Sequence, residues 1–318
     1  MVEIVLKSAD MKTRVVFMGS PDFALPILCR LVEEYDVVGV VTQPDRPAGR
    51  GKTLQPPSIK ILAGELNLPV IQPIRLKEAL AWRTLQEWQP DLIIVAAFGQ
   101  ILRQNVLDLP RFGCINIHAS LLPRWRGAAP IQAAILNGDA SSGVTIMKMD
   151  AGIDTGAVLA QVVTSIDSQE TAVTLSKRLS GLGANLLMKT LPDWLAGNIV
   201  PQEQDNSLVT YARMLKKEDG AMDLSHPAYE LERAVRAYTP WPGSYISYKG
   251  NPLKVLKASV LEDGQTQAVG THNVHNGLPA IGTVAGWLLL NEVQLAGKQA
   301  MSGEVFLRGA RAWLTSEN

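Results

Sequence analysis

The residues of this chain best suited to chemistry are an asparagine and a histidine two positions apart, Asn116 and His118. Residues 114–117 are predicted to form a strand beside a buried strand predicted at 92–97. Because side chains alternate along a strand, Asn116 and His118 share one face, about 6–7 Å apart. In open α/β sheets, reactive groups collect at the carboxyl ends of strands, where His118 would lie. The spacing therefore suits two polar groups that converge on one small reacting centre.

A later loop, residues 149–156, supplies a carboxylate that could act with the histidine. The loop holds Asp150 and Asp154 between glycines, and we take Asp154 as the candidate partner of His118. Directly after His118 the chain enters a Pro-containing turn that ends at residue 123. Two adjacent leucines in this turn would be exposed, which indicates that they have a binding partner.

The order and spacing of these groups resemble the folate-dependent formyltransferase family. The matching residues are Asn116, His118, Asp154 and the turn Ser120-Leu121-Leu122-Pro123. Any one of these features alone would be a weak signal, whereas the combination is highly specific.

A second segment resembles one branch of that family. Residues 41–52 follow the predicted strand 37–41 and resemble the basic loop of the members that act on methionyl-tRNA. The similarity continues through residues 14–23, 127–132 and 238–243, and covers nearly all of residues 14–312. One departure is Ala133, where the family usually has a large or basic residue, and this could weaken one contact with the acceptor stem.

The resemblance implies a reaction and its two substrates. A formyl group would pass from 10-formyltetrahydrofolate to the amine of methionine esterified to initiator tRNA, for translation initiation. The family's folate-contacting turn corresponds to Ser120, Leu121, Leu122 and Pro123. Contact with the tRNA end is implied for Arg46, and also for Arg50 and Lys52.

The chemistry of this transfer assigns a role to each candidate catalytic residue. An α-amino group has a pKa of about 7.7–8.0, so much of it is already nucleophilic near neutrality. Its attack on the formyl carbon produces an oxyanion, which needs hydrogen-bond donors. His118 and Asn116 are the predicted donors, and Asp154 is predicted to help take up the released proton, directly or through water.

Several other interpretations remain. His118 could be a structural histidine and Asp154 an ordinary turn residue. Within the same fold, the alternatives are a glycinamide ribonucleotide or amino-sugar formyltransferase, or a formyltetrahydrofolate hydrolase. A different class of alternative is a catalytically silent protein that binds tRNA or folate. A nucleophilic pair of Cys114 and His118 is disfavoured because four strand residues separate them by about 13 Å. Cys114 is predicted to be a small buried apolar residue.

Composition favours an ordinary cytoplasmic protein. The 318 residues are 47% hydrophobic and 19% charged, with no apolar run of the roughly 18–20 residues that a membrane span needs. Two cysteines argue against a disulfide framework, and no ligand spacing predicts a metal site. The sequence does not fix the oligomeric state, and we expect a monomer.

The charge distribution bears on nucleic-acid binding. Lys and Arg number 30, as do Asp and Glu, so the net charge is zero. Cations nevertheless exceed anions in residues 43–60 and in residues 103–126, and both clusters flank the predicted reactive edge. We therefore interpret both as binding surfaces rather than solvated loops.

Strands and helices alternate in the first part of the chain, which predicts an α/β, Rossmann-like domain with a parallel sheet. We expect an N-terminal extension at 1–13, a catalytic domain at 14–197, a polar linker at 198–216 and a second domain at 217–318. Helices are predicted at 26–34, 56–66, 130–136 and 171–195. The turn after the first strand lacks the further glycines of a dinucleotide-binding fingerprint.

The second domain is predicted to contain short strands at 243–248, 253–259, 282–290 and 305–307, with a loop at 264–277. Such a pattern is typical of a small β-barrel. The resemblance implies that this domain is an OB-like barrel that contacts tRNA. Its own charges, nine cations and ten anions by our count, do not argue for RNA binding.

Overall fold

The computed structural model describes residues 12–48, 53–262, 268–310 and 313–315. The chain forms two compact units. The first contains the chain up to Arg126 together with Gly143–Val163 and Ser176–Tyr211. The second contains Gly127–Ser142, Thr164–Leu175 and the chain from Ala212 onward. The domain boundaries predicted at residues 197 and 217 stay predictions.

The strands and helices occur in the following order along the chain. The strands before residue 170 are β1 Arg14–Gly19, β2 Asp36–Val41, β3 Arg46–Ala48, β4 Thr53–Gln55, β5 Val70–Ile71, β6 Leu92–Ala96, β7 Cys114–His118, β8 Arg126–Gly127, β9 Ser141–Lys148 and β10 Val158–Ser165. The helices before residue 200 are α1 Leu25–Glu34, α2 Ser58–Glu65, α3 Ala79–Trp88, α4 Gln104–Leu107, α5 Pro130–Asn137 and α6 Ala172–Leu195. The later elements are β11 Tyr211–Ala212, α7 Ala228–Tyr238, β12 Ser244–Tyr248, β13 Asn251–Leu261, β14 His272–His275, β15 Leu278–Gly282, β16 Trp287–Leu295, β17 Met301–Ser302 and α8 Gly303–Gly309.

A seven-stranded sheet with the order β10-β9-β7-β6-β1-β2-β5 forms the framework of the first unit. The pairings of β1 with β2 and β6, of β2 with β5 and of β6 with β7 are parallel, whereas β7 and β9 are antiparallel. All five residues of β6 and all five of β7 are buried, as expected for strands covered on both faces. The predicted Rossmann-like α/β fold is confirmed.

The position of β7 in this sheet determines where its polar side chains lie. Asn116 is level with Val95 of β6 and with Met147 of β9, and His118 is level with Thr145. Neighbours on both sides therefore fix the register of β7. His118 is its last residue, so the predicted position at a carboxyl strand end is confirmed.

Close packing explains why the turn after β1 begins with a glycine. A Cβ atom at Gly19 would lie 2.8 Å from the backbone oxygen of Ala96 and 2.9 Å from the Cβ of Ala24. Any larger residue would collide with the end of β6. Gly19 is therefore required by its close contacts with the end of β6 and with Ala24.

The four predicted helices are present as α1, α2, α5 and α6, with ends shifted by one or two residues. Four further helices, α3, α4, α7 and α8, were not predicted. In α7 the buried residues Ala228, Leu231 and Val235 have helical spacing. Their pattern was hidden by the charged residues between them.

Three predicted segments of the second unit are wrong. The single strand predicted at 282–290 is the end of β15, a turn at residues 283–286 and the start of β16. Residues 305–307 lie in α8 rather than a strand, because the side chain of Ser302 accepts a hydrogen bond from the backbone N–H of Val305 and caps the helix. The predicted loop 264–277 contains β14, which pairs with β15. The turn between them is Asn276-Gly277, both with positive φ, a sequence that favours tight hairpins.

The second unit is built on an antiparallel sheet with the order β12-β13-β16-β15-β14, and β17 pairs with β16. Apolar residues from α7, α8, this sheet and the short 3-10 helix Trp313–Thr315 form one core, which includes Leu231, Leu253, Leu288, Phe306 and Trp313. The antiparallel sheet agrees with the predicted strand-rich domain, and its closure into a barrel stays a prediction.

The thiol of Cys114 lies inside the apolar core of the first unit, with Sγ 3.6 Å from the backbone oxygen of Val106. Burial, with a contribution from the charge of Asp108, raises the pKa of Cys114 to about 12. Cys114 is thus a buried apolar residue, as predicted, and is protonated at neutral pH.

We expect iodoacetamide at pH 8 to leave Cys114 unmodified in the folded protein and to modify it in urea, because only the thiolate reacts. Peptide mass spectrometry distinguishes Cys114 from the exposed Cys29, which serves as the internal reference. Faster modification of Cys114 than of Cys29 in the folded protein would contradict this assignment.

Candidate active site

Three side chains predicted to act together meet at the carboxyl end of β7. Nδ2 of Asn116 donates a hydrogen bond to Oδ1 of Asp154 over 3.3 Å. Nδ1 of His118 lies 3.6 Å from Oδ2 of the same carboxylate. Asn116 and His118 are 9% and 6% exposed, so this cluster is largely screened from water. The structure thus brings the three predicted catalytic residues together.

The hydrogen bond made by Nε2 of His118 determines the tautomer of the ring. Nε2 lies 3.0 Å from the backbone oxygen of Trp125. A carbonyl oxygen only accepts hydrogen bonds, so Nε2 is the nitrogen that carries the hydrogen in a neutral ring. Nδ1 is therefore the ring nitrogen that faces the carboxylate of Asp154. The main chain fixes the ring in this orientation.

The carbonyl that holds His118 belongs to a residue with unusual backbone geometry. Trp125 has φ of 62°, a left-handed conformation that few non-glycine residues adopt. Its N–H donates to Oγ1 of Thr210 over 2.9 Å, and the N–H of Arg126 donates to the backbone oxygen of Thr210. Residue 210 therefore anchors the segment that orients the histidine.

The two carboxylates of the glycine-rich loop have different positions. Oδ1 of Asp150 accepts hydrogen bonds from the N–H of Gly152 and the hydroxyl of Thr155, so Asp150 stabilises the loop itself. Asp154 has φ of 52° and directs its carboxylate at Asn116 and His118. A Cβ at Gly156 would collide with the backbone oxygen of Lys148, so only glycine fits after this turn.

Two residues of the site were missed from the sequence, Gln204 and Arg126. Gln204 lies inside the predicted linker, and its Nε2 donates to the backbone oxygens of Asp154 and Gly156. Its Oε1 accepts from Nε of Arg126, a side chain only 3% exposed. These contacts join positions 48 to 78 residues apart, and no local pattern could reveal them.

The turn after His118 is held from within the sheet. Oγ1 of Thr145 donates to the backbone oxygen of Ser120 and accepts from the N–H of Leu122. Nε2 of Gln161 donates to the backbone oxygen of Leu122, and the Leu122–Pro123 peptide bond is cis. The side chains of Ser120 and Leu122 are buried, so the prediction of two exposed leucines is wrong for Leu122, and Leu121 is half-buried. Folate binding by this turn stays a prediction.

The basic segment 43–60 contains fewer available cations than its composition indicates. Nζ of Lys60 pairs with Asp45 over 2.8 Å, and hydrogen bonds from Gln72 and Lys60 lower the pKa of that carboxyl. Arg46 is exposed and donates to Oε1 of Gln43. Arg46 begins β3, which pairs with β4 in a two-stranded sheet.

Arg50 and Lys52, also predicted to contact tRNA, lie outside the described residues. The second basic segment, 103–126, is likewise less available. Arg111 pairs with Asp91 over 2.8 Å, Arg126 is buried, and the guanidinium of Arg124 lies 4.4 Å from the ring centroid of Trp125. The interpretation of this segment as a basic surface is therefore wrong for Arg126.

A cavity of about 400 Å³ lies in the same unit and is lined by residues from two segments, 75–82 and 100–106. Three cations contribute to its lining, and no carboxylate does among the described residues. Its walls also contain apolar and amide groups. The lining residues are Arg75, Leu76, Lys77, Ala79, Trp82, Gln100, Ile101, Arg103, Asn105 and Val106.

The described residues contain neither a candidate metal-binding cluster nor a candidate membrane-spanning helix. In the part of the chain that the structure describes, His, Cys, Asp and Glu side chains form no group of three that could hold a metal ion. Within the same described ranges, no helix is both long and apolar enough to span a membrane.

Comparison with known proteins identifies the family. The sequence profile of formyl transferases matches residues 11–191, and that of the formyl transferase C-terminal domain matches residues 214–311. Among solved structures, the N-formyltransferase from Helicobacter canadensis, in complex with folinic acid and dTDP-3-aminofucose, has a TM-score of 0.66. That alignment covers 87% of this chain and 98% of the other at 17% identity, a likeness in fold alone.

Two curated relatives are far more similar in sequence. The methionyl-tRNA formyltransferase of Geobacter metallireducens is 46% identical over 302 residues, which cover 93% of this chain and 96% of the relative. That of Geobacter sulfurreducens is 45% identical over 303 residues, 94% of each chain. This chain therefore belongs to the methionyl-tRNA formyltransferase family.

Proposed function

We propose that this enzyme transfers the formyl group of 10-formyltetrahydrofolate to the free amino group of methionyl initiator tRNA. The product, N-formylmethionyl-tRNA, serves translation initiation in the cytoplasm. The observation that carries the proposal is the contact of Asn116 and His118 with one carboxylate, that of Asp154. The two methionyl-tRNA formyltransferases that align with nearly the whole chain support the choice of acceptor.

The reaction forms one C–N bond and breaks another. The lone pair of the methionyl amine attacks the formyl carbon, and the carbonyl electrons move to oxygen. The tetrahedral intermediate collapses when N10 of tetrahydrofolate leaves with the bonding electron pair. The attacking amine loses one proton and N10 gains one. The enzyme must therefore stabilise an oxyanion and move a proton between two nitrogens.

Asn116 and His118 supply the hydrogen-bond donors. The Asn116 amide donates without any change in charge, and its Nδ2 already points into the cluster. Nδ1 of His118 donates when protonated, since Nε2 is committed to the Trp125 carbonyl. Donors that are fixed before the reaction avoid a reorganisation cost as charge develops on the formyl oxygen.

Asp154 serves as the proton acceptor. Its carboxylate faces both donors, so it lies next to the place where the amine would attack. The proton passes to it directly or through one water molecule, and then to the leaving N10. This role requires the carboxylate rather than its amide equivalent.

The donor and acceptor substrates use different parts of the surface. We assign the folate to the turn Ser120–Pro123, through its backbone and the accessible parts of Leu121 and Pro123. The cavity lined by Arg75, Lys77 and Arg103 has the charge to receive the carboxylates of the folate. We assign the end of the tRNA to Arg46, Arg50 and Lys52, and further tRNA contacts to the second unit.

A formylation assay with charged initiator tRNA tests the catalytic assignment. We expect His118→Ala and Asn116→Ala each to lower the rate of transfer by about 10²–10³, the usual cost of one oxyanion donor. Asp154→Asn should lower the rate without changing the urea midpoint of unfolding. The measurement is single-turnover transfer of labelled formyl from 10-formyltetrahydrofolate to methionyl-tRNA.

Uncharged tRNA and the exposed-histidine variant His226→Ala are the controls for this assay. Retention of more than about a third of the wild-type rate by His118→Ala would refute the proposed site. Transfer to an amino sugar or a ribonucleotide amine, with none to methionyl-tRNA, would instead refute the proposed acceptor.

Salt dependence tests the tRNA-binding assignment. Each cation that neutralises a phosphate lowers the slope of log affinity against log salt by about 0.7–0.9. We therefore expect Arg46→Ala to raise the KM for methionyl-tRNA, to reduce its salt slope by about one and to leave kcat unchanged. Arg83→Ala, on the exposed side of α3, is the matched control. A KM for tRNA that is the same in both variants and independent of salt would contradict the assignment.

A further inference from the structure

Gln204 holds the main chain of the loop that carries Asp154. Its side-chain amide donates to the backbone oxygen of Asp154 over 2.8 Å and to that of Gly156 over 2.7 Å. Both N–H groups of one side chain are thus used on carbonyls two residues apart. The two bonds fix the peptide planes that follow Asp154 and Gly156, the first of them directly at the residue that carries the carboxylate.

The conformation of this loop explains why such support is needed. Asp154 has φ of 52°, which is unfavourable for a residue with a Cβ and persists only when surrounding contacts stabilise it. Asp150 stabilises the preceding part of the loop through Gly152 and Thr155. Gln204 binds two other groups of the loop, the backbone carbonyls of Asp154 and Gly156, which Asp150 does not contact. Without it, the carboxylate of Asp154 would lose its fixed direction.

Arg126 determines which way the Gln204 amide faces. Nε of Arg126 donates to Oε1 of Gln204 over 3.0 Å, and Nη2 donates to Oδ1 of Asn206 over 3.1 Å. An amide rotated by 180° would direct its N–H groups at the guanidinium and its oxygen at the loop carbonyls. The positive charge excludes that rotamer. Arg126 is only 3% exposed, so water does not weaken this selection.

The same short segment supports both halves of the reacting cluster. The carbonyl of Trp125 binds Nε2 of His118, and the next side chain, Arg126, acts on Asp154 through Gln204. Thr210 contacts the backbone of both residues. One anchored segment of the chain, residues 125–126, thus positions His118 and Asp154 relative to one another.

We propose that Gln204 and Arg126 are positioning residues, which hold the Asp154 carboxylate against Asn116 and His118 without contacting either substrate. The inference rests on the proposed function, since it assigns Asp154 the proton transfer. It also gives the segment around residue 204 a role in chemistry rather than in connection alone.

A double-mutant cycle tests this inference. We expect Gln204→Ala to lower kcat by about 10–100-fold, the loss that a displacement near 1 Å can cause, while KM for both substrates changes by less than about twofold. In the Asp154→Ala background, Gln204→Ala should have no further effect on kcat, because it acts through that carboxylate. Losses that multiply in the double variant would overturn the proposal.

Two further variants separate positioning from folding. Gln204→Glu keeps an acceptor for Arg126 but replaces both N–H donors with a carboxylate that repels the loop carbonyls. It should be as slow as Gln204→Ala although the urea midpoint is maintained. Gln86→Ala, which removes an exposed glutamine from α3, should retain wild-type kcat. Wild-type activity of Gln204→Glu would refute the role of the donors.

Amide hydrogen exchange distinguishes failure of this inference from failure of the proposed function. Exchange in residues 150–157 should be faster in Gln204→Ala than in the wild type and unchanged in Gln86→Ala. This measurement does not depend on which amine accepts the formyl group. If wild-type protein formylates no methionyl-tRNA, the proposed function fails while the exchange result still decides the inference. Equal exchange in this loop in all three proteins would overturn it.

Discussion

The contact of one carboxylate with an amide N–H and an imidazole nitrogen is the interaction on which the rest of the catalytic unit depends. Asn116 and His118 come from a strand, and Asp154 comes from a loop after a different strand. Such a cluster is stable only if its backbone supports are rigid, since buried polar groups are costly when they lose their partners. The position of β7 between β6 and β9 supplies the rigidity for two of the three residues.

The third residue requires separate support, because a loop with a left-handed residue has no strand neighbours to hold it. Asp150 stabilises the loop locally, and Gln204 stabilises it from a distant part of the chain. Trp125 provides the corresponding support for the ring of His118. The precision of the site therefore arises from backbone carbonyl groups and their donors as much as from the three reacting side chains.

Short-range periodicity was sufficient to predict much of the fold and the core of the site. Alternation along β7 placed Asn116 and His118 on one face, and the apolar β6 marked its neighbour. The turn chemistry of Asn276-Gly277 was also present in the sequence and was overlooked, which hid β14. The amphipathic spacing of α7 was overlooked for a similar reason, because charged residues dominate that segment.

Tertiary contacts explain the features of the site that no local sequence pattern could predict. The charge count of the sequence treats Lys60 and Arg111 as free cations, whereas in the structure they pair with Asp45 and Asp91. The same charge count places Arg126 in a basic surface, whereas its side chain is buried and donates a hydrogen bond to Gln204. Contacts between residues tens of positions apart depend on the assembled fold, and local composition carries no information about them.

A crystal structure of the enzyme with a 10-formyl folate analogue that cannot release its formyl group tests the central claim most directly. The account predicts the formyl oxygen within about 3.2 Å of both Asn116 Nδ2 and His118 Nδ1, with Asp154 beside the formyl carbon. A formyl oxygen more than about 4 Å from both nitrogens, and bound by other donors, would contradict it.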